Sequence, residues 1–81
     1  MKVTVKYLAL HKELVGKSVE EFQLNEKSTL KDFLDQLMSI HPSLEEARED
    51  TTISLNGMLA DRNAVLRDGD IVAFFPVVSG G

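Results

Sequence analysis

Polar and apolar residues alternate strictly at the start of the chain, with Val3, Val5 and Tyr7 on one side and Lys2, Thr4 and Lys6 on the other. That period of two predicts a strand with one face buried. Residues 11–16 interrupt it with a turn or a short helical piece. Residues 18–24 resume an extended pattern in which Phe22 and Leu24 share a face, so the two segments are expected to pair as an antiparallel hairpin. The period then changes. Leu30, Phe33, Leu34, Leu37 and Met38 follow the i, i+3, i+4, i+7, i+8 spacing of one apolar helical stripe. Ser28 and Thr29 stand ready as N-caps, and Asp32 lies in the first turn, where the helix dipole favours a negative charge. Pro42 stops this helix near His41, because the residue before a proline avoids the helical conformation.

Residues 44–50 predict a short second helix, polar on most sides, and residues 51–55 a strand. Asn56-Gly57 is a hairpin dipeptide whose residues both tolerate positive φ, and residues 58–60 form the short returning strand. Residues 67–70 make a polar turn before the last strand, residues 71–76. One main helix packed on a mixed four- or five-stranded sheet is an α+β arrangement, the β-grasp or ubiquitin-like fold. If the last strand lies parallel to the first, the long helix supplies the crossover that parallel strands require. Residues 1–76 are read as this domain and residues 77–81 as an extended, flexible C-terminal tail.

A chain of 81 residues has room for one small core and no second domain. Its hydrophobic fraction of 43% and charged fraction of 27% are those of a globular protein rather than a disordered one. A net charge of −4, with no basic stripe, argues against nucleic acid as a partner. The alternating N-terminus is neither a signal peptide nor a membrane span, which makes the cytoplasm the expected location and excludes a membrane as partner. The chain contains no cysteine, so it has no disulfide, thiolate metal site or thiol nucleophile.

Side-chain catalysis finds little support. His11 and His41 lie far apart with no ligand-spaced carboxylates, which predicts surface or capping roles for both. Glu20-Glu21 and Glu45-Glu46 read as solvated faces, and Gly57 and Gly69 as turn glycines. The chain's end is different, since residues 71–81 carry no charge. Both faces of the last strand are apolar, with Val72 and Phe74 on one side and Ile71, Ala73 and Phe75 on the other. One helix covers one face of a small sheet, so the second face is either exposed as a protein-binding patch or buried by a loop or by residues 44–50. Gly80-Gly81 has no side chain to obstruct a narrow channel. The group such a tail delivers is an α-carboxylate, ionised at neutral pH and inert toward acyl transfer until activated, for example as an acyl adenylate. A sulfur nucleophile can then displace AMP to leave a thiocarboxylate.

The segments "SLNG" at 54–57, "LRDGDIVAFFPVVSGG" at 66–81 and "HKELVG" at 11–16 resemble the family of small, sulfur-carrying subunits of molybdopterin synthase. The resemblance implies that Gly81 is adenylated by a ubiquitin-activating-like adenylyltransferase, using ATP, and receives sulfur from a donor to become the thiocarboxylate. It implies further that the tail enters the large catalytic subunit, two carriers per heterotetramer, and that sulfur passes to cyclic pyranopterin monophosphate to build the dithiolene. Gly80 would be the spacer, and Phe75, Pro76, Val77, Val78 and Ser79 would join it in meeting the partner. No bound cofactor is implied. Val77 stands where the family often has a second proline, and Ser79 where it often has alanine. A thiamine-thiazole-type sulfur carrier, a ubiquitin-like modifier conjugated through Gly81 and a plain interaction module remain the alternatives.

Overall fold

The computed structural model describes residues 1–77. The elements run β1 (Lys2–Tyr7), α1 (Leu10–Val15), β2 (Val19–Gln23), α2 (Leu30–Ile40), α3 (Pro42–Glu46), a 3-10 turn (Arg48–Asp50), β3 (Thr51–Leu55), β4 (Met58–Leu59) and β5 (Ile71–Pro76). The five strands form one mixed sheet in the order β2-β1-β5-β3-β4. β1 pairs antiparallel with β2 and parallel with β5, and β3 pairs antiparallel with both β5 and β4. This is the β-grasp arrangement expected from the hydrophobic pattern.

Alternation places Val3, Val5 and Tyr7 of β1 and Val72 and Phe74 of β5 on one face, where α2 covers them with Leu30, Phe33, Leu34 and Leu37. Burying those four helix side chains contributes roughly 6–12 kcal/mol of gross transfer free energy, most of it offset by the entropy of ordering the chain. Thr29 caps α2 in a reciprocal box: its hydroxyl accepts from Asp32 N–H at 3.2 Å, and the Asp32 carboxylate accepts from Thr29 N–H at 3.3 Å. α2 ends at Ile40, and Pro42 then opens α3 at a first-turn position, where its missing N–H costs nothing. The expected helix over 44–50 is therefore two pieces, α3 and the 3-10 turn. β4 is one residue shorter than expected. At the β3–β4 hairpin Asn56 and Gly57 take φ of 52° and 84°, the paired positive values of a tight two-residue turn.

Two side-chain expectations are overturned. His11 is fully buried, not a surface or capping residue, because α1 lays it against the Phe74 ring with centroids 6.2 Å apart. Glu20 is not on a solvated face: the register Val5↔Glu20 turns it to the helix side. There its carboxylate accepts from Tyr7 Oη–H at 2.9 Å and His41 Nε2–H at 2.8 Å, and pairs with Lys17 Nζ at 3.3 Å. Burial raises the Glu20 pKa, but the bonds from His41, Tyr7 and Lys17 outweigh it and hold the carboxyl below its usual range. Tyr7, desolvated beside that carboxylate, is pushed well above its ordinary value. His41 does cap the end of α2, and is half-buried in doing so.

Candidate functional site

The end of β5 is held from both sides. Tyr7 lies beside Phe74 in the parallel pair, and Leu8 N–H continues it to the Phe74 carbonyl at 3.0 Å. On the other side Thr51 faces Pro76, and Val77 N–H donates to the Asp50 carbonyl at 3.0 Å. Since Val77 directs its N–H toward β3, Pro76 faces the side of β1, which has ended at Tyr7. Its missing N–H therefore removes no ladder bond.

Phe74 points into the core, tilted against Tyr7 with centroids 5.8 Å apart. Phe75 points the opposite way, half-buried and opposite Thr52. Leu44, from the segment named above as the alternative cover for this outer face, is instead buried in the core on the helix side. Ile71 is exposed, and Ala73 and Phe75 are half-buried beside Thr4, Lys6, Thr52 and Ser54. The structure thus brings Phe75, Pro76 and Val77 together at one corner of the sheet. Val78, Ser79, Gly80 and Gly81 lie outside the described residues.

Leu8 and Leu10, both exposed, add apolar surface on the segment that follows β1. Sequence reasoning passed over them, although the alternation signalled Leu8 as an apolar residue in an outward position. Between them Ala9 takes φ 49°, ψ −122°, a conformation that glycine adopts freely and that costs other residues of order 1–3 kcal/mol.

A buried polar chain braces this corner. Thr51 Oγ–H donates to the Ala47 carbonyl at 2.7 Å, and Thr51 Oγ1 lies 2.6 Å from His11 Nε2. A hydroxyl has one proton and it is already committed, so His11 donates Nε2–H and keeps Nδ1 bare. His11 Nδ1 is buried with no hydrogen-bond partner among the described residues. Burial therefore pushes the His11 pKa below its ordinary value, against the opposing pull of the Leu8 carbonyl. The chain His11, Thr51, Ala47 fixes the approach to β3 on which the Val77 amide rests. Among the described residues no group of three or more His, Asp or Glu is placed to hold a metal ion, and no helix is long and apolar enough to cross a membrane.

A β-grasp domain whose last central strand runs out at an apolar corner defines a class shared by sulfur carriers and ubiquitin-like modifiers. The chain belongs to the ThiS family, whose profile matches residues 5–81. It is 33% identical over the full length of both chains to a protein of Chlamydomonas reinhardtii named molybdopterin synthase sulfur carrier subunit. Among solved structures it is similar to SAMP1, a small archaeal modifier protein of Haloferax volcanii, with 29% identity, all of both chains covered and a TM-score of 0.83. It is also similar to a chain in the complex of subunits 1 and 2 of molybdopterin-converting factor from Helicobacter pylori, with 28% identity, all of both chains covered and a TM-score of 0.72.

Proposed function

We propose that this protein is the sulfur-carrying small subunit of a molybdopterin synthase. The observation that carries the reading is the end-to-end match to a relative of that name, through Gly80-Gly81. Taking Gly81 as the terminal residue, its carboxylate attacks the α-phosphorus of ATP on a separate adenylyltransferase. Pyrophosphate leaves, and a sulfur nucleophile then displaces AMP to give the thiocarboxylate. The large subunit accepts the tail and directs the sulfur to cyclic pyranopterin monophosphate. This chain supplies no side-chain catalyst. Its part is to present the terminal group beyond a firmly held strand and to offer Phe75, Pro76 and Val77, with Leu8, as the contact surface. The complex formed by the Helicobacter pylori relative supports a large-subunit partner.

Incubation with ATP, a cognate activating enzyme and sulfide should replace one terminal oxygen by sulfur, read by intact mass spectrometry. The modified protein, mixed with large subunit and pterin substrate, should yield molybdopterin, and deleting Gly81 should abolish both steps with folding unchanged. No mass change would refute every carrier reading. Thiocarboxylate without molybdopterin would refute this assignment and favour a thiazole-type carrier.

The similarity to a small archaeal modifier protein favours one second reading, conjugation of Gly81 to protein lysines. Gly81-dependent, higher-mass conjugates in cells would identify it, and their absence would exclude it.

A further inference from the structure

The edge of β3 that faces away from β5 is unfinished. β4 pairs only with Ser54 and Leu55, and the chain leaves the sheet at Ala60, whose N–H still reaches the Ile53 carbonyl at 3.2 Å. It then climbs to α2, where the Arg62 and Ala64 carbonyls accept from Lys31 and Leu30 N–H at 3.0 and 2.9 Å. Backbone groups along a strand point to alternate sides. Since the Asp50 carbonyl faces β5, those of Thr51 and Ile53 face the open edge. There the Thr51 carbonyl and the Ile53 N–H have no protein partner among the described residues.

A groove of about 330 Å³ runs beside this edge, between Leu30 and Leu34 of α2 and Ile53 of β3, with Leu59 on its rim and Arg62 at its lip. It continues into a recess of about 80 Å³ that adds Met38 and Arg48. Leu59 is 84% exposed and its neighbour Met58 is 74% exposed. The other nearby cations are neutralised, Arg48 by Glu45 at 3.1 Å and Lys31 by Asp35 at 3.5 Å. Among the described residues Arg62 is in no ion pair.

We propose that this groove is a docking site for an extended, acidic segment of a partner protein, which adds as a strand along β3. The segment would occupy the position β4 vacates after Ala60, set one apolar side chain between α2 and β3, and place a carboxylate against Arg62. The chemistry follows from what is unmet. A free backbone donor and acceptor at a sheet edge select an extended main chain. The apolar floor selects an aliphatic side chain, and the uncompensated guanidinium selects a carboxylate even though the protein as a whole is acidic. The site lies across β3 from the end of β5, so it is independent of the carrier reading and does not compete with it.

The test titrates the ¹⁵N-labelled full chain with the capped peptide acetyl-Thr-Val-Thr-Ile-Thr-Glu-amide, whose isoleucine and glutamate share one face of a strand, followed by amide shifts and exchange. Saturable shifts at Ile53, Ala60 and Leu34 are expected, with Ile53 N–H exchange slowed about tenfold. Replacing the peptide's Glu by Gln should weaken binding roughly three- to fivefold, and Arg62→Gln should bring the Glu peptide down to the Gln peptide's affinity. Methylating the nitrogen of the peptide threonine that lies opposite Thr52 should remove the bond to the Thr51 carbonyl and reduce binding further. Arg62 is exposed and helps cap α2 only through its carbonyl, so the variant keeps its fold. No saturable shift at millimolar peptide, shifts centred on Thr4 and Ala73 of the outer face, or equal affinity for Glu and Gln peptides would overturn the proposal.

Discussion

Phe74 and Phe75 are chemically identical neighbours on opposite faces of β5, and replacing each should separate folding from partner binding. Phe74 is fully buried, with Tyr7 and His11 rings within 5.8 and 6.2 Å. Truncating it to alanine should cost about 3–5 kcal/mol, a large share of the 5–15 kcal/mol typical of a domain. Phe75 is half-buried against Thr52. Changing it to glutamate forfeits about half the benefit of burying a phenylalanine, or about 1 kcal/mol, and should lower the melting temperature by roughly 4–8 °C.

In the proposed complex with a large subunit the order should reverse. A carboxylate pressed into an apolar contact without a partner costs about 3–5 kcal/mol, which is at least a hundredfold in affinity. Urea unfolding gives the first quantity, and calorimetric titration with the large subunit gives the second. If Phe75→Glu loses as much folding stability as binding energy, Phe75 is core and the contact surface has been misplaced. If binding is unchanged, the outer face of β5 is not the surface the large subunit meets.

Three further outcomes rest on the same corner. Above about pH 6.5 His11 is unprotonated in both states; below it the unfolded chain takes up a proton that the buried ring does not, so stability should fall by up to about 1.4 kcal/mol per pH unit until the folded pKa is reached. His11→Gln should flatten that segment of a stability–pH profile from urea titrations, and parallel slopes would refute the buried neutral ring. Thr51→Val keeps the strand shape but strands the His11 Nε2–H and the Ala47 carbonyl, and should cost about 1–3 kcal/mol in urea unfolding; a loss under about 0.5 kcal/mol would mean that the chain is no brace. Ala9→Gly should raise stability by about 1 kcal/mol by relieving the positive φ, and a decrease in midpoint would show that the conformation is unstrained.

The scaffold was legible because its elements announce themselves in short windows. The strict alternation of β1, the apolar stripe of α2 and Asn56-Gly57 are local signals, and each produced its element. What escaped depended on register and on contacts between segments distant in sequence. Whether Glu20 faces water is decided by its pairing with Val5, and whether His11 is buried is decided by Thr51, forty positions away. An isolated histidine or a Glu-Glu pair carries no trace of such a partner. Leu8 stood in plain view as an apolar residue in an outward position, yet its place beside the end of β5 follows only from the parallel pairing.

On the carrier reading proposed above, the same geometry explains how so small a domain would present its terminal group. A terminal group is useful to a partner enzyme only if the partner can draw it in without unfolding the domain, so the strand that leads to it must be held more firmly than the contact surface around it. β5 meets that need by lying centrally, bonded to β1 and β3. Pulling at Val77 loads the Asp50 carbonyl first, and behind it the 3-10 turn braced by Thr51 and His11. The polar chain at positions 11, 47 and 51 thus secures the strand from which, on that reading, the terminal group is delivered. Weakening it should blunt delivery of the terminal group before it abolishes folding.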